Sequence, residues 1–135
     1  MLYEEGGPGG GFNLYLEKGQ LRAGAWYKPA WPGTWLAFDK IEPGRWYRAA
    51  LVLRDAGAAV APDKLELYVD GTKIGSGQAA LVGNHGGDIN LGRNGNTAYA
   101  NASVDAVGDY FTGRLGEVEI YNRALSAEEL GRKSR

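Results

Sequence analysis

Apolar and polar residues alternate along much of this chain. In "FNLYLE", Phe12, Leu14 and Leu16 fall on one face of an extended segment and Asn13, Tyr15 and Glu17 on the other. Lys18-Gly19 turns, and "QLRAGAWY" returns as the second half of a hairpin. "KLELYVDGTKIG" repeats the device: Leu65, Leu67 and Val69 point one way, and Asp70-Gly71 is a two-residue hairpin signal. Between the hairpins, "RWYRAALVLR" becomes apolar on both faces, which predicts a central strand covered on both sides, with Trp46 in the core. "DAGAAVAPDK" reads as a loop and "GDINLG" as a short strand. Residues 93–109, "RNGNTAYANASVDAVGD", form a loop too long and polar for a hairpin turn, a length usually tied to function or mobility. Towards the end, Val118 and Ile120 share one face of a further strand. Ser126 and Glu129 then make a Ser-x-x-Glu capping box, predicting one turn of helix that carries Leu130 and covers an end of the fold.

Short strands separated by turn signals make an antiparallel all-β domain, and the 22 glycines among 135 residues supply its punctuation. The length suits one domain with one core. With 15 basic and 16 acidic residues the net charge is −1, too weak a field to hold nucleic acid or an anionic membrane surface. There is no cysteine, so neither a disulfide framework nor a thiolate metal site is available. The opening "MLYEEGGPGGG" has neither the basic nor the apolar region of a signal peptide, and no window is apolar over the length of a membrane span. Membrane insertion is not expected.

The run from Phe111 through Gly113, Leu115, Glu117, Val118, Ile120, Tyr121, Asn122, Arg123, Ala124, Leu125 and Ser126 to Glu129 and Leu130 resembles the closing signature of concanavalin A-like, laminin G-like domains, especially their bacterial branch. "LYEEGG", "GFNLYLEKGQL", "GRWYRAALVL", "LYVDGTKIGSG" and "GDINLGRNG" follow in that family's order. The resemblance implies an antiparallel two-sheet jelly-roll sandwich with one short C-terminal helical turn. It also implies a noncatalytic recognition module, extracellular or on a cell surface, that binds a glycan or a protein through loops or the concave sheet face. Relatives usually carry a further strand ahead of the segment matching "LYEEGG", so either a bare strand edge or an uncovered apolar stripe is expected; pairing of two copies into a homodimer would cover it, and the alternative is that "GGPGGG" folds back over the gap and leaves a monomer. Gly116 stands where relatives often have an acidic residue that helps hold calcium.

Candidate chemistry follows from residue types. "AWYKPAWPGTW" gathers Trp26, Trp31 and Trp35, and aromatic faces suit sugar rings, whose C–H patches stack while polar neighbours take the hydroxyls. Trp31, between Ala30 and Pro32, is placed in a loop; Trp26 and Trp35 fall in predicted strands, where packing is the alternative. Tyr99, Asn94 and Asn96 in the long loop complete the candidate ligand-binding set. Asp88, Asp105 and Asp109 are candidate ligands for Ca²⁺, which takes hard oxygen donors from such loops, although Asp, Asn and Gly also build ordinary turns. His85 is the only histidine and has no nucleophile motif near it, so an ordinary loop hydrogen bond is expected. Related jelly rolls include retaining glycanases with acids on one strand, and Glu117 and Glu119 alternate onto one face about 6.8 Å apart by strand rise. The third acid of that pattern is replaced by Asn122, and a binding module rather than an enzyme is expected.

Overall fold

The computed structural model describes residues 1–97, 99–100 and 109–133. Among these residues eight strands and one helix follow in order: β1 (Tyr3–Gly7), β2 (Gly10–Glu17), β3 (Gln20–Tyr27), β4 (Trp31–Phe38), β5 (Ala49–Leu53), β6 (Ala61–Val69), β7 (Thr72–Ala79), β8 (Asp88–Leu91) and α1 (Ala127–Lys133). They form two antiparallel sheets, ordered β4-β3-β2-β1-β8 and β5-β6-β7. This is the antiparallel all-β domain that the alternation predicts and the two-sheet sandwich that the resemblance implies.

Local chemistry sets the hairpins. Lys18 and Gly19 both take positive φ (50° and 80°), as do Asp70 and Gly71 (49° and 76°), the backbone that a two-residue turn between right-twisted strands requires. Register then follows without slippage from Glu17↔Gln20 to Gly10↔Tyr27, and from Val69↔Thr72 to Leu67↔Gly75 with one irregularity.

The core lies between the sheets. Leu14, Ala23 and Leu36 share one face by register, and Leu21, Ala23 and Ala25 meet Leu65, Leu67 and Val69 of the opposing sheet. Ala23, Ala25, Leu65 and Leu67 are wholly excluded from solvent. Small residues on β3 face large ones on β6, which lets the sheets approach and interdigitate.

Trp31 belongs to this core. It opens β4 instead of sitting in a loop and is 3% exposed, packed with Ala25, Leu65, Ala79 and Ala80. Its Nε1 donates to Thr34 Oγ1, and the Thr34 hydroxyl donates to the Gln78 carbonyl of β7, a polar link between sheets. Pro32 had marked a loop, but β4 is the last strand of its sheet, where a missing N–H is tolerated.

Two further expectations are corrected at the other sheet. β5 ends the three-stranded order and is not a central strand, and Trp46 is 62% exposed rather than core. Residues 109–121 form no strand. They start beside β8, where Phe111 N–H donates to the Gly92 carbonyl, and run past β5 with Val118 and Ile120 exposed. Arg48 reaches both Glu117 (3.2 Å) and Glu119 (3.0 Å), and Lys133 reaches Glu119 (2.8 Å). Side-chain charges hold this segment.

The helix forms as the capping box predicts. Glu129 N–H donates to Ser126 Oγ and Ser126 N–H donates to the Glu129 carboxylate. It spans seven residues and covers the outer face of the three-stranded sheet rather than an end of the fold, burying Leu130 with Val52, Tyr68 and Leu125. On the same face, burial alone would raise the pKa of Glu66, but hydrogen bonds from Lys73 and Arg54 outweigh it and hold the carboxyl below its ordinary value.

Candidate functional site

The five-stranded sheet has an outer face, and register identifies the residues that share it. Asn13 pairs with Gly24 and Gly24 with Trp35, which places them with Tyr15, Arg22 and Trp26. Across β1, Glu4 pairs with both Asn13 and Asn90.

The indole of Trp35 lies across two glycines. A Cβ at Gly24 would sit 2.1 Å from its Nε1, and one at Gly33 would sit 2.5 Å from its benzene ring, so no other residue type leaves the ring room. Trp26 stacks beside it, with planes 13° apart and centroids separated by 5.8 Å. The two rings differ in role. Trp26 is fully buried and its Nε1 donates to the Gly7 carbonyl, whereas Trp35 is half-buried and its buried Nε1 has no partner. Beyond Gly24 the face turns polar, with Arg22 paired to Glu17 and donating to Gln20.

Glu4 anchors the loop after β8 to this face. It is 1% exposed and accepts hydrogen bonds from Asn90 Nδ2, Gly95 N–H (2.5 Å) and Thr97 Oγ1 (2.7 Å). Three donors compensate the burial of one carboxylate. Asn94 is buried, and its Oδ1 accepts from Thr97 N–H at 3.0 Å, a side-chain bond that holds the backbone three residues on. Tyr99 packs edge-on against Tyr15 with centroids 4.8 Å apart and donates to Asp109. Burial first, then the Asp109 hydrogen bond, pushes the Tyr99 phenol above its ordinary pKa, so it stays a neutral donor.

At one end of the sandwich, an open cleft of about 470 Å³ lies between the β1–β2 turn (residues 7–10) and residues 84–87. Tyr27, Pro29, Asn84, His85 and Asn96 complete its walls. His85 Nε2 lies 3.6 Å from Glu5 Oε1, beyond hydrogen-bond reach, and its Nδ1 is buried without a partner. The expected ordinary hydrogen bond of His85 is therefore not seen. Sequence reasoning missed this cleft, although "GGPGGG" and "NHGG" form its two lips.

The candidate residues are thus divided. Trp26 and Trp35 share the outer face, Trp31 lies in the core, Asn94 and Tyr99 support the loop, and Asn96 borders the cleft. Among the described residues, no three or more His, Cys, Asp or Glu side chains gather in one place. Asp88 is exposed on β8 and Asp109 accepts from Tyr99, while Asp105 lies outside the described residues. Glu117 and Glu119 share the Arg48 guanidinium. Hydrogen bonds from Lys133, Tyr121 and Arg48 hold the Glu119 carboxyl down at about 2.

A family model described as the concanavalin A-like lectin/glucanases superfamily, laminin G type, matches residues 2–131. The chain belongs to this family. Its domains are binding modules for glycans or proteins in general and are often extracellular. No curated protein and no solved structure matches the chain. Among the described residues, no helix is long and apolar enough to cross a membrane.

Proposed function

We propose that the chain is a noncatalytic recognition module that binds a glycan on the outer face of its five-stranded sheet, with Trp35 as the stacking surface. The observation that supports this is the half-buried indole laid across Gly24 and Gly33 beside Trp26. The bare backbone at Gly24 and Gly33 lets the ring lie flat against the sheet. The flat ring offers a sugar its apolar surface, and Arg22, Gln20 and Glu17 offer hydroxyl partners. Trp26 supports Trp35 from the side and takes no ligand itself.

Trp35→Ala is expected to weaken oligosaccharide binding about tenfold, the worth of one stacked ring at about 1.4 kcal/mol. Trp35→Phe, which keeps an aromatic face, should restore most of it. A glycan array followed by calorimetry checks both; unchanged affinity in Trp35→Ala would sink the reading.

A second reading, protein–protein adhesion including pairing of two copies, is favoured by a different observation. Ile89 (61% exposed), Leu91 (52%), Val118 (47%) and Ile120 (67%) leave apolar surface open, and β8 and β5 are terminal strands among those described. Light scattering at micromolar concentration separates the readings. A monomer that binds glycan supports the first, and a dimer with no glycan affinity supports the second.

A further inference from the structure

We propose that the glycine-lined cleft is a second binding site, separate from the Trp35 face, and that it takes one residue of a neutral saccharide. Its walls are built by the absence of side chains. A Cβ at Gly10 would lie 2.8 Å from the Tyr27 ring and one at Gly83 would lie 2.8 Å from the Tyr27 hydroxyl, so the ring is clamped between two glycines. A Cβ at Gly87, where φ is +116°, would strike the Gly6 carbonyl at 2.0 Å, so the two lips meet backbone to backbone. Gly9 and Gly86 differ. Neither has positive φ, and a Cβ at either would find nothing within 4 Å. The space there is open, and no packing demand accounts for a bare backbone at these two positions.

The lining chemistry selects the ligand class. Asn84 and Asn96 present exposed amides, each carrying a donor and an acceptor, as a sugar hydroxyl does. Tyr27 and Pro29 supply the apolar patch for a C–H face. His85 apart, no acidic or basic side chain lines the cleft among the described residues. Glu5, whose Oε1 lies 3.6 Å from His85, accepts from the Tyr3 hydroxyl at 2.5 Å through its Oε2. With no Lys or Arg among the described lining residues, the cleft offers no fixed cation to a sulfated or phosphorylated chain. The volume of about 470 Å³ is within the range of small-molecule sites and exceeds what one sugar residue fills.

His85 is the only histidine, so its imidazole resonance reports the cleft alone, while the Trp35 indole resonance reports the outer face. Neutral trisaccharides of the glucose, mannose, galactose and N-acetylglucosamine series are titrated into the whole chain by NMR, with a heparin trisaccharide as the charged counterpart. The His85 and Asn side-chain signals are expected to shift saturably with at least one neutral series, and to do so equally in Trp35→Ala. Gly86→Trp, which fills open space, should weaken that shift at least tenfold while leaving the melting temperature unchanged. Gly9→Trp serves the same purpose if Gly86→Trp does not fold. The proposal is overturned if His85 answers no neutral trisaccharide, if it answers only heparin, or if the blocking variant binds as well as the parent. Movement of Trp35 without His85 removes the cleft and leaves the face; movement of His85 without Trp35 does the reverse.

Discussion

β6 and residues 113–121 carry the same alternation, yet only β6 is a strand. Leu65, Leu67 and Val69 are 0–4% exposed, with hydrogen-bonded partners on both sides in β5 and β7. Val118 and Ile120 are 47% and 67% exposed, and their segment is tied down by Arg48 and Lys133 side chains. Alternation makes a segment able to be a strand; an apolar partner surface and a ladder make it one. Burial contributes roughly 25 cal/mol per Å² of apolar area, whereas exposed ion pairs add about 0–1 kcal/mol each, so the two regions should differ sharply in stability.

The largest test sets the two regions side by side. Leu67→Ala is expected to cost about 2–5 kcal/mol through lost contacts and a residual cavity, while Ile120→Ala should change stability by less than about 0.5 kcal/mol. Urea unfolding of both variants measures this. Equal losses would mean that residues 113–121 share the core and the contrast is false.

An intermediate effect concerns the helix next to that segment. Ser126→Ala removes the acceptor for the Glu129 N–H and is expected to cost about 1 kcal/mol, seen as faster amide exchange in α1. Protection unchanged from the parent would show that Leu130 packing alone holds the helix.

The smallest effect is electrostatic, and its sign is fixed. Hydrogen bonds from Lys133, Tyr121 and Arg48 lower Glu119 from 4.5 to about 2, and hydrogen bonds from Arg123 and Ser126 lower Glu129 from 4.5 to about 2. Folded values below the unfolded ones add stability that is complete above about pH 4.5 and is lost as pH falls towards 2. Both carboxylates remain reachable by solvent, so salt should weaken the same contacts. Proton NMR between pH 5 and 2 should show residues 117–133 loosening before β6, and 0.5 M salt at pH 7 should reproduce part of the change. Simultaneous loss in both regions would break the contrast.

Much of the fold was legible because its determinants are local. A period of two names the face, and Lys18-Gly19 and Asp70-Gly71 set the turns, so both hairpins could be placed from a few adjacent residues. The capping box is equally local, three residues apart. The candidate site was less legible. "AWYKPAWPGTW" identified three rings but could not separate them, since side depends on the register irregularity between Ala25 and Tyr27 and on where β4 begins. The cleft was missed because glycine registers in sequence as turn chemistry, whatever stands opposite it.

By itself, then, the sequence determined strand alternation, hairpin register and the helix start, each a matter of neighbours along the chain. Tertiary structure decided that Trp31 enters the core while Trp35 lies on the surface, that Glu4 gathers donors from residues 90, 95 and 97, and that the glycines at positions 7–10 face those at 86–87. These arrangements join residues up to about ninety positions apart, and their cause is the meeting of surfaces that no local pattern encodes.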